Sequence, residues 1–388
     1  MNKNLWKYHL LSILVFISIA FITTQVITFL ISLGYSSIER GYILASISIM
    51  GIISTIIFGY LFDHYKRYKR VFMIGYIILI VGSIVMFNIT NHNIYYTLII
   101  IGLVGGLAKC ITSLLETWML FIGKDKYGRL RASGALGLAI ASPVAGYIVH
   151  IYSYTTLITI SVVLSLITII LLFNIKEKKK PKTNKIYIKD IKDLITNKRY
   201  IILILIFLSI YMIGTADQYV VIDKMLRLGS TTELVGVKFA VQSIMEIPIF
   251  IIGSKLLKRF KAIHLLLLGT ILYGVKFIGY GYFQSPILII AVASLQLVTL
   301  PLLLLTSKVL INEVTSSKLK ATAQMLAMAI YIGISGLITP IITSHLSNNI
   351  GYDNTLYIVA FFFIVPLLLI IYYRKLESTC NSNSDALK

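Results

Sequence analysis

The sequence predicts an all-α membrane protein of twelve transmembrane helices in two six-helix halves, and three observations carry that prediction. Of the 388 residues, 57% are hydrophobic and only 13% charged, about half the charged fraction of a soluble domain, and the mean hydropathy is +0.87. Apolar runs of roughly 20 residues, the length an α-helix needs to cross a bilayer core, recur along the whole chain. Basic residues cluster in every second connection, and one long polar segment divides the runs six and six.

The hydropathy pattern gives spans at 8–33, 40–62, 71–89, 95–122, 131–152, 155–174, 200–221, 235–256, 262–283, 286–311, 321–345 and 353–373. The first follows Lys3 and Lys7, as the apolar region of a signal peptide would. It is too long for that and no small-residue cleavage pattern follows, so it is expected to stay in the chain. The net charge of +21 raises the question of a nucleic-acid partner, and its distribution argues against one. Lys66, Arg67, Lys69 and Arg70 share one loop, and Lys124, Lys126 and Arg129 the next basic one. The stretch 176–199 follows, then Lys255, Lys258, Arg259 and Lys261, then Lys318 and Lys320. The intervening loops, such as TNHNI at 90–94 and SPI at 285–287, carry almost no charge.

That alternation is the positive-inside pattern of a multi-pass protein, and it predicts a cell-membrane location with both termini cytoplasmic. The excess charge then reports orientation and attraction to anionic headgroups of the lipid bilayer. Richness in Ile, Lys, Asn and Tyr fits an AT-rich bacterial genome. Cys110 lies within a helix and Cys380 in the tail, so no disulfide is expected; Asn88-Ile89-Thr90 matches a glycosylation pattern and reads as loop.

The polar segment IKEKKKPKTNKIYIKDIKDLITNKRY, 175–200, sets the division: an N-terminal half at 1–174, a cytoplasmic basic linker at 175–199, a C-terminal half at 200–374 and a tail at 375–388. Within the linker, IYIKDIKDLI has the pattern of a short amphipathic helix on the membrane surface. GYLFDHYKRYK from Gly59 and GSKLLKRFKA from Gly253 occupy corresponding places in the two halves, a faint internal repeat. Paired halves of this kind put a substrate site at their interface near the midplane.

A charge at the bilayer centre costs at least about 2.5–3.5 kcal/mol on insertion scales and so asks for a partner or a function. Six stand out: Lys109 and Glu116 on the fourth span, Arg131 at the start of the fifth, Asp217 on the seventh, Glu246 on the eighth and Lys276 on the ninth. Three are acidic and three basic, three from each half, which predicts mutual pairing around a shared polar cavity. Lys109 and Glu116, seven residues apart, share a helical face. Glu246 lies one turn beyond Gln242, and Pro248 beside it is expected to loosen the helix. A carboxyl group able to take up and release a proton suits coupling, and Glu246 is the foremost candidate. Glu116, Arg131, Lys109 and Gln242 are candidates to line that polar cavity.

GYLFDHYKR resembles the loop signature of the major facilitator superfamily, with Gly59, Leu61, Asp63 and Arg67 matching and Lys66 in place of the usual second glycine. The resemblance implies the major facilitator fold, with this motif holding one state of the transport cycle. The run ETWMLFIGKDKYGRLRASGALGLA, with MEIPIF, GTILYGVKFIG and KATAQML, is similar to the lactose permease group of oligosaccharide:proton symporters over nearly the full chain. That similarity implies a sugar-binding ion pair at Glu116 and Arg131, and a carboxylate linking sugar binding to protonation at Glu246. It also implies that Lys276 and Asp217 belong to the proton site. The relay His and Glu of the permeases fall at Gln296 and Thr299, their Lys partners at Ala293 and Ile332, and the aromatic that stacks on galactose at Leu138. Lys109 is an addition. Gln296 joins Gln242 in the candidate binding set, and lactose itself is not expected as substrate.

The sequence has no metal-ligand cluster, phosphate loop, nucleophile–base constellation or ATP-binding domain, so neither an enzyme nor a primary pump is expected, and no cofactor. The reading is a proton-coupled secondary active transporter, a symporter of a sugar or other small hydrophilic solute, working as a monomer by alternating access. The alternative is a proton-antiport exporter of drugs or an amphiphilic metabolite. One test follows from the charge pattern alone. Single-cysteine variants at Lys182 or Ser382 should resist an impermeant maleimide applied to intact cells; efficient labelling from outside would overturn the topology.

Overall fold

The computed structural model describes residues 5–65, 68–122, 124–175, 194, 196–316 and 319–385. Among them there is no strand. Twelve helical segments are long and apolar enough to cross a membrane: Leu5–Ser32, Ser37–Leu61, Lys69–Phe87, Ile94–Met119, Lys126–Ile151, Tyr154–Phe173, Lys198–Arg227, Thr232–Arg259, Ala262–Tyr282, Pro286–Glu313, Leu326–Ile350 and Tyr352–Glu377. They are called the first to the twelfth span. The interior of the 175–199 linker, its amphipathic stretch included, lies outside the described residues.

Burial departs from that of a soluble protein. Large aliphatic side chains such as Ile56, Ile140, Ile170 and Leu368 point outward, while serines, threonines and charged groups are enclosed. Hydrocarbon solvates the former as well as any core would, so polar contacts and close packing must hold the helices together. In the first half, buried Tyr76 donates to Ser18 at 2.8 Å and to Ser165 at 3.3 Å, tying the third, first and sixth spans. Buried apolar side chains form two clusters, one from the first six spans around Leu11 and Val104, the other from the last six around Phe207 and Phe277. Ile222 and Val235 of the later spans join the first cluster and stitch the two together.

Across the halves the fifth span packs on the eighth and the second on the eleventh. Glycines permit both approaches. A Cβ at Gly236 would collide with the backbone of Ser142 and Pro143, and one at Gly41 with Ser344. The Thr232 hydroxyl donates to the Gly146 carbonyl at 2.8 Å along the same seam. At the end away from the linker, Arg40 of the second span meets Asp223 of the seventh at 2.8 Å, a further clasp between halves.

Each half opens with the same turn. After the first span, Gly34 sits at φ 82° with its N–H donating to Ile31 O and that of Tyr35 to Leu30 O; after the seventh, Gly229 at φ 82° repeats the pattern with Leu226 O and Met225 O. This is a glycine-closed helix terminus, and only glycine takes that φ without strain. Leu33-Gly34 and Leu228-Gly229 are thus a second internal repeat, beyond the one at Gly59 and Gly253. Gly59 itself stays helical, with open space where a side chain would go, because the second helix continues to Tyr65. The Asp63 side chain and Arg67 lie outside the described residues.

The tenth span is one apolar run in the sequence but not one helix. An α-helix at Pro286–Ala293 gives way to a 3-10 turn at Ser294–Val298, and a new helix begins at Leu300. Pro301 has no N–H to offer and crowds the preceding turn, which accounts for the break. Pro248, by contrast, stays inside a continuous eighth helix, Thr232–Arg259.

The seam can be tested by paired substitutions. Gly236→Ala should lower the melting temperature of the purified protein, since overpacking a close contact costs roughly 1–3 kcal/mol. Gly59→Ala, with nothing within 4 Å of the added methyl, should leave it unchanged or raise it slightly, because alanine is the better helix former.

Candidate functional site

Where the halves meet, ionised and polar side chains form one continuous chain. It begins at Asp217 of the seventh span, which is almost fully enclosed. Lys276 of the ninth span donates to Asp217 Oδ2 at 2.5 Å, and Gln242 of the eighth donates to the same oxygen at 2.7 Å. Lys238, also on the eighth span and fully buried, lies 2.7 Å from Oδ1 and donates to the Asp217 backbone carbonyl. One carboxylate therefore answers two ammonium groups.

Lys276 passes the chain onward by donating to Gln296 Oε1 at 2.6 Å. Gln296 in turn donates from Nε2 to Glu246 Oε1 at 3.0 Å. The broken tenth span makes this bridge possible, because Gln296 lies in the 3-10 turn. Irregular backbone at membrane depth is tolerated where protein groups surround it, and such breaks commonly mark transporter sites.

From Glu246 the chain crosses to the other half. Arg131 of the fifth span lies 4.0 Å from Glu246 Oε2 through one terminal nitrogen, while its Nε donates to Glu116 Oε1 at 2.8 Å. The guanidinium sits between the rings of Phe16 and Phe250, 4.9 and 5.1 Å from their centroids. Such rings fix a cation's plane while excluding water from it. Glu116 Oε2 accepts from the Tyr127 hydroxyl at 3.3 Å, and Lys308 of the tenth span donates to that hydroxyl at 3.1 Å. The chain thus returns to the second half.

Lys109 stands apart from this chain. Its ammonium donates to Ser48 of the second span at 3.3 Å, and it lies 3.4 Å from where a Cβ would stand at Gly336 of the eleventh. It therefore reaches the seam between the halves from the fourth span.

Of the candidates read from the sequence, Asp217, Glu246, Lys276, Gln242, Gln296, Glu116 and Arg131 come together, and Lys109 borders the same interface. One expectation changes, and one partner is now defined. Lys276 pairs directly with Asp217 and reaches Glu246 only through Gln296. The set is also not balanced three against three: Lys238 and Lys308 enter it, giving five cations to three carboxylates. Both lie close to helix ends in the sequence, where a lysine ordinarily reaches the interface. Lys238 was signalled only by the apolar residues on both sides of it. Lys308, between Ser307 and Val309 near the end of the tenth span, gave less.

A surface cleft of about 400 Å³ lined by Asn88, Ile89, Thr90, Asn91, Asn93 and Tyr96 occupies the loop before the fourth span. It gathers amides and a tyrosine but no charge, and none of the converging ionised groups lines it.

The doubly paired carboxylate gives a sharp test. Asp217→Asn leaves two buried ammonium groups without their counter-charge, and breaking a buried pair costs about 3–5 kcal/mol. The variant should express poorly or melt well below the wild type by thermal-shift chromatography. Adding Lys238→Met should recover part of the loss; a wild-type melting temperature for Asp217→Asn would show that the pairs contribute nothing to the fold.

Comparison with known proteins agrees with this architecture. Residues 5–370 match the model of the MFS_1 like family. An uncharacterized MFS-type transporter of Methanocaldococcus jannaschii is 22% identical over 331 residues, which is 81% of either chain. Among solved structures, a mutant of the nucleoside transporter NupG superposes with a TM-score of 0.82 at 14% identity, covering 95% of this chain and 99% of that one. A POT family transporter in complex with a thioalcohol-conjugated peptide gives 0.78 at 13% identity, covering 96% of each chain. These structures share the fold of this one, and with twelve membrane-spanning helices and a family match over nearly its whole length, the chain belongs to the MFS_1 like family of membrane transporters.

Proposed function

We propose that the chain is a proton-coupled symporter that moves a small hydrophilic solute by alternating access, with Glu246 carrying the proton. The observation that supports this most is the position of Glu246: it is held by Gln296 in the broken tenth span and faces Arg131 from the other half at 4.0 Å. A charge on Glu246 draws the halves together through Arg131. Protonation removes that attraction, and Arg131 keeps its counter-charge in Glu116 at 2.8 Å. No ion is stranded in either form, so the group can alternate at modest cost.

Asp217 is the poorer carrier. Protonating it would strand Lys238 and Lys276 together in an enclosed site. Its role in this reading is to hold the seventh, eighth and ninth spans as one body. Lys276 then links that body to Gln296 and so to the proton group.

Glu116 and Arg131, with Gln242 and Gln296 nearby, supply the polar ligands of the solute. The similarity to the lactose permease group gives the same two residues that work and supports a small hydrophilic solute, of which a sugar is one class. A nucleoside carrier and a peptide-bound carrier sharing this fold agree with a hydrophilic cargo. The two halves, 1–174 and 200–374, rock about the site, the 175–199 linker and the Gly59–Asp63–Arg67 motif govern one end, and the monomer in the cell membrane is the working unit.

Glu246→Gln mimics the protonated form and keeps the hydrogen bond to Gln296. In proteoliposomes tested with sugars, organic acids and cationic dyes, it should bind solute and exchange it across the membrane. Accumulation driven by an imposed proton gradient should fall at least about tenfold, the loss of 1.4 kcal/mol or more of coupling. Undiminished gradient-driven accumulation would move the proton site away from Glu246.

A further inference from the structure

Two of the five cations at the seam have no carboxylate partner among the described residues. Lys109 has the Ser48 hydroxyl and Lys308 the Tyr127 hydroxyl, at 3.3 and 3.1 Å, and neither forms an ion pair. Both are only half-buried, and the three carboxylates of the site are already committed to other cations. An ammonium group within a membrane-spanning segment that the protein leaves without counter-charge is costly, and such groups ordinarily mark the path of a ligand or ion.

We propose that the solute is an organic anion, drawn to the seam by the two ammonium groups, Lys109 and Lys308, that have no carboxylate partner there. The assignment rests on the transport reading given above and names the chemical class of its cargo. Position supports it as much as charge. Lys109 reaches the seam between the second and eleventh spans, opposite Gly336, where the absence of a side chain leaves its ammonium facing the other half. Lys308 lies on the second half and touches the first through Tyr127. A bound anion would thus be held from both halves, which is where a carrier must grip its cargo to couple binding to closure. The arrangement also disfavours cations: a positively charged solute would enter a site already carrying two more positive charges than negative ones.

The cation excess yields a behaviour that a structural role for these lysines would not. Lys109→Gln and Lys308→Gln remove unpaired charges, so the solute-free variants should melt no lower than the wild type. With purified protein, thermal shifts are read with lactate, succinate, glycerol 3-phosphate and glucose 6-phosphate against the neutral glucose and lactose. At least one organic anion should raise the melting temperature where its neutral counterpart does not, and each lysine variant should weaken that anion's binding tenfold or more. Succinate or lactate alone would identify a carboxylate, and the phosphate esters alone a phosphate. If no anion stabilises the protein, or if the neutral sugars bind equally well to both lysine variants and the wild type, the proposal is overturned. Anion binding without proton-driven uptake would retain the anion and remove the coupling; proton-driven uptake of glucose or lactose alone would do the reverse.

Discussion

An ionised side chain inside a bilayer must find its counter-charge within the protein, because nothing outside the helices can supply it. In this chain that constraint is met by Asp217 above all. Two lysines from neighbouring spans converge on its carboxylate, and a glutamine and a tyrosine complete its surroundings. The seventh, eighth and ninth spans are thereby fixed to one another at their most buried point. Everything further along the polar chain depends on that anchor, since Lys276 can hold Gln296 only while Asp217 holds Lys276.

The contacts that follow differ in strength. Between Asp217 and Lys276 the distance is 2.5 Å and between Arg131 and Glu116 it is 2.8 Å, each within one half. Glu246 and Arg131, which face each other across the halves at the polar site, stand 4.0 Å apart, while Arg40 and Asp223 join the halves at 2.8 Å at the end away from the linker. At the polar site, then, the strong pairs lie within each half and the weak one between them.

The packing seams show the same division. Glycines let the fifth and eighth spans approach to backbone contact, and Arg40 with Asp223 clasps the end away from the linker. Such close, small-residue contacts substitute for the hydrophobic drive that a bilayer does not provide between helices. They leave the middle of the interface to polar groups, and there the broken tenth span turns Gln296 inward.

Much of this was legible in one dimension. Hydropathy and loop charge determined the number of spans and their division into two sets, because both are properties of local composition. Spacing and resemblance singled out Glu116, Arg131, Asp217 and Glu246, since a charge in an apolar run is conspicuous wherever its partner lies. The tenth apolar run reads as one span, 286–311, and its break beside Gln296 came only with the structure, although Pro301 and the paired Leu-Gly turns at Gly34 and Gly229 stand in the sequence. Which charge meets which was decided only by the tertiary structure. Lys276 turned out to serve Asp217 directly and Glu246 through an amide, and Lys238 and Lys308 came into the site from near helix ends that read as interface. The physical reason is that a buried ion is stabilised by whatever lies within a few ångströms in space. Helices far apart in the chain supply those neighbours, so the balance of charge at the site could be read only once the two halves were packed together.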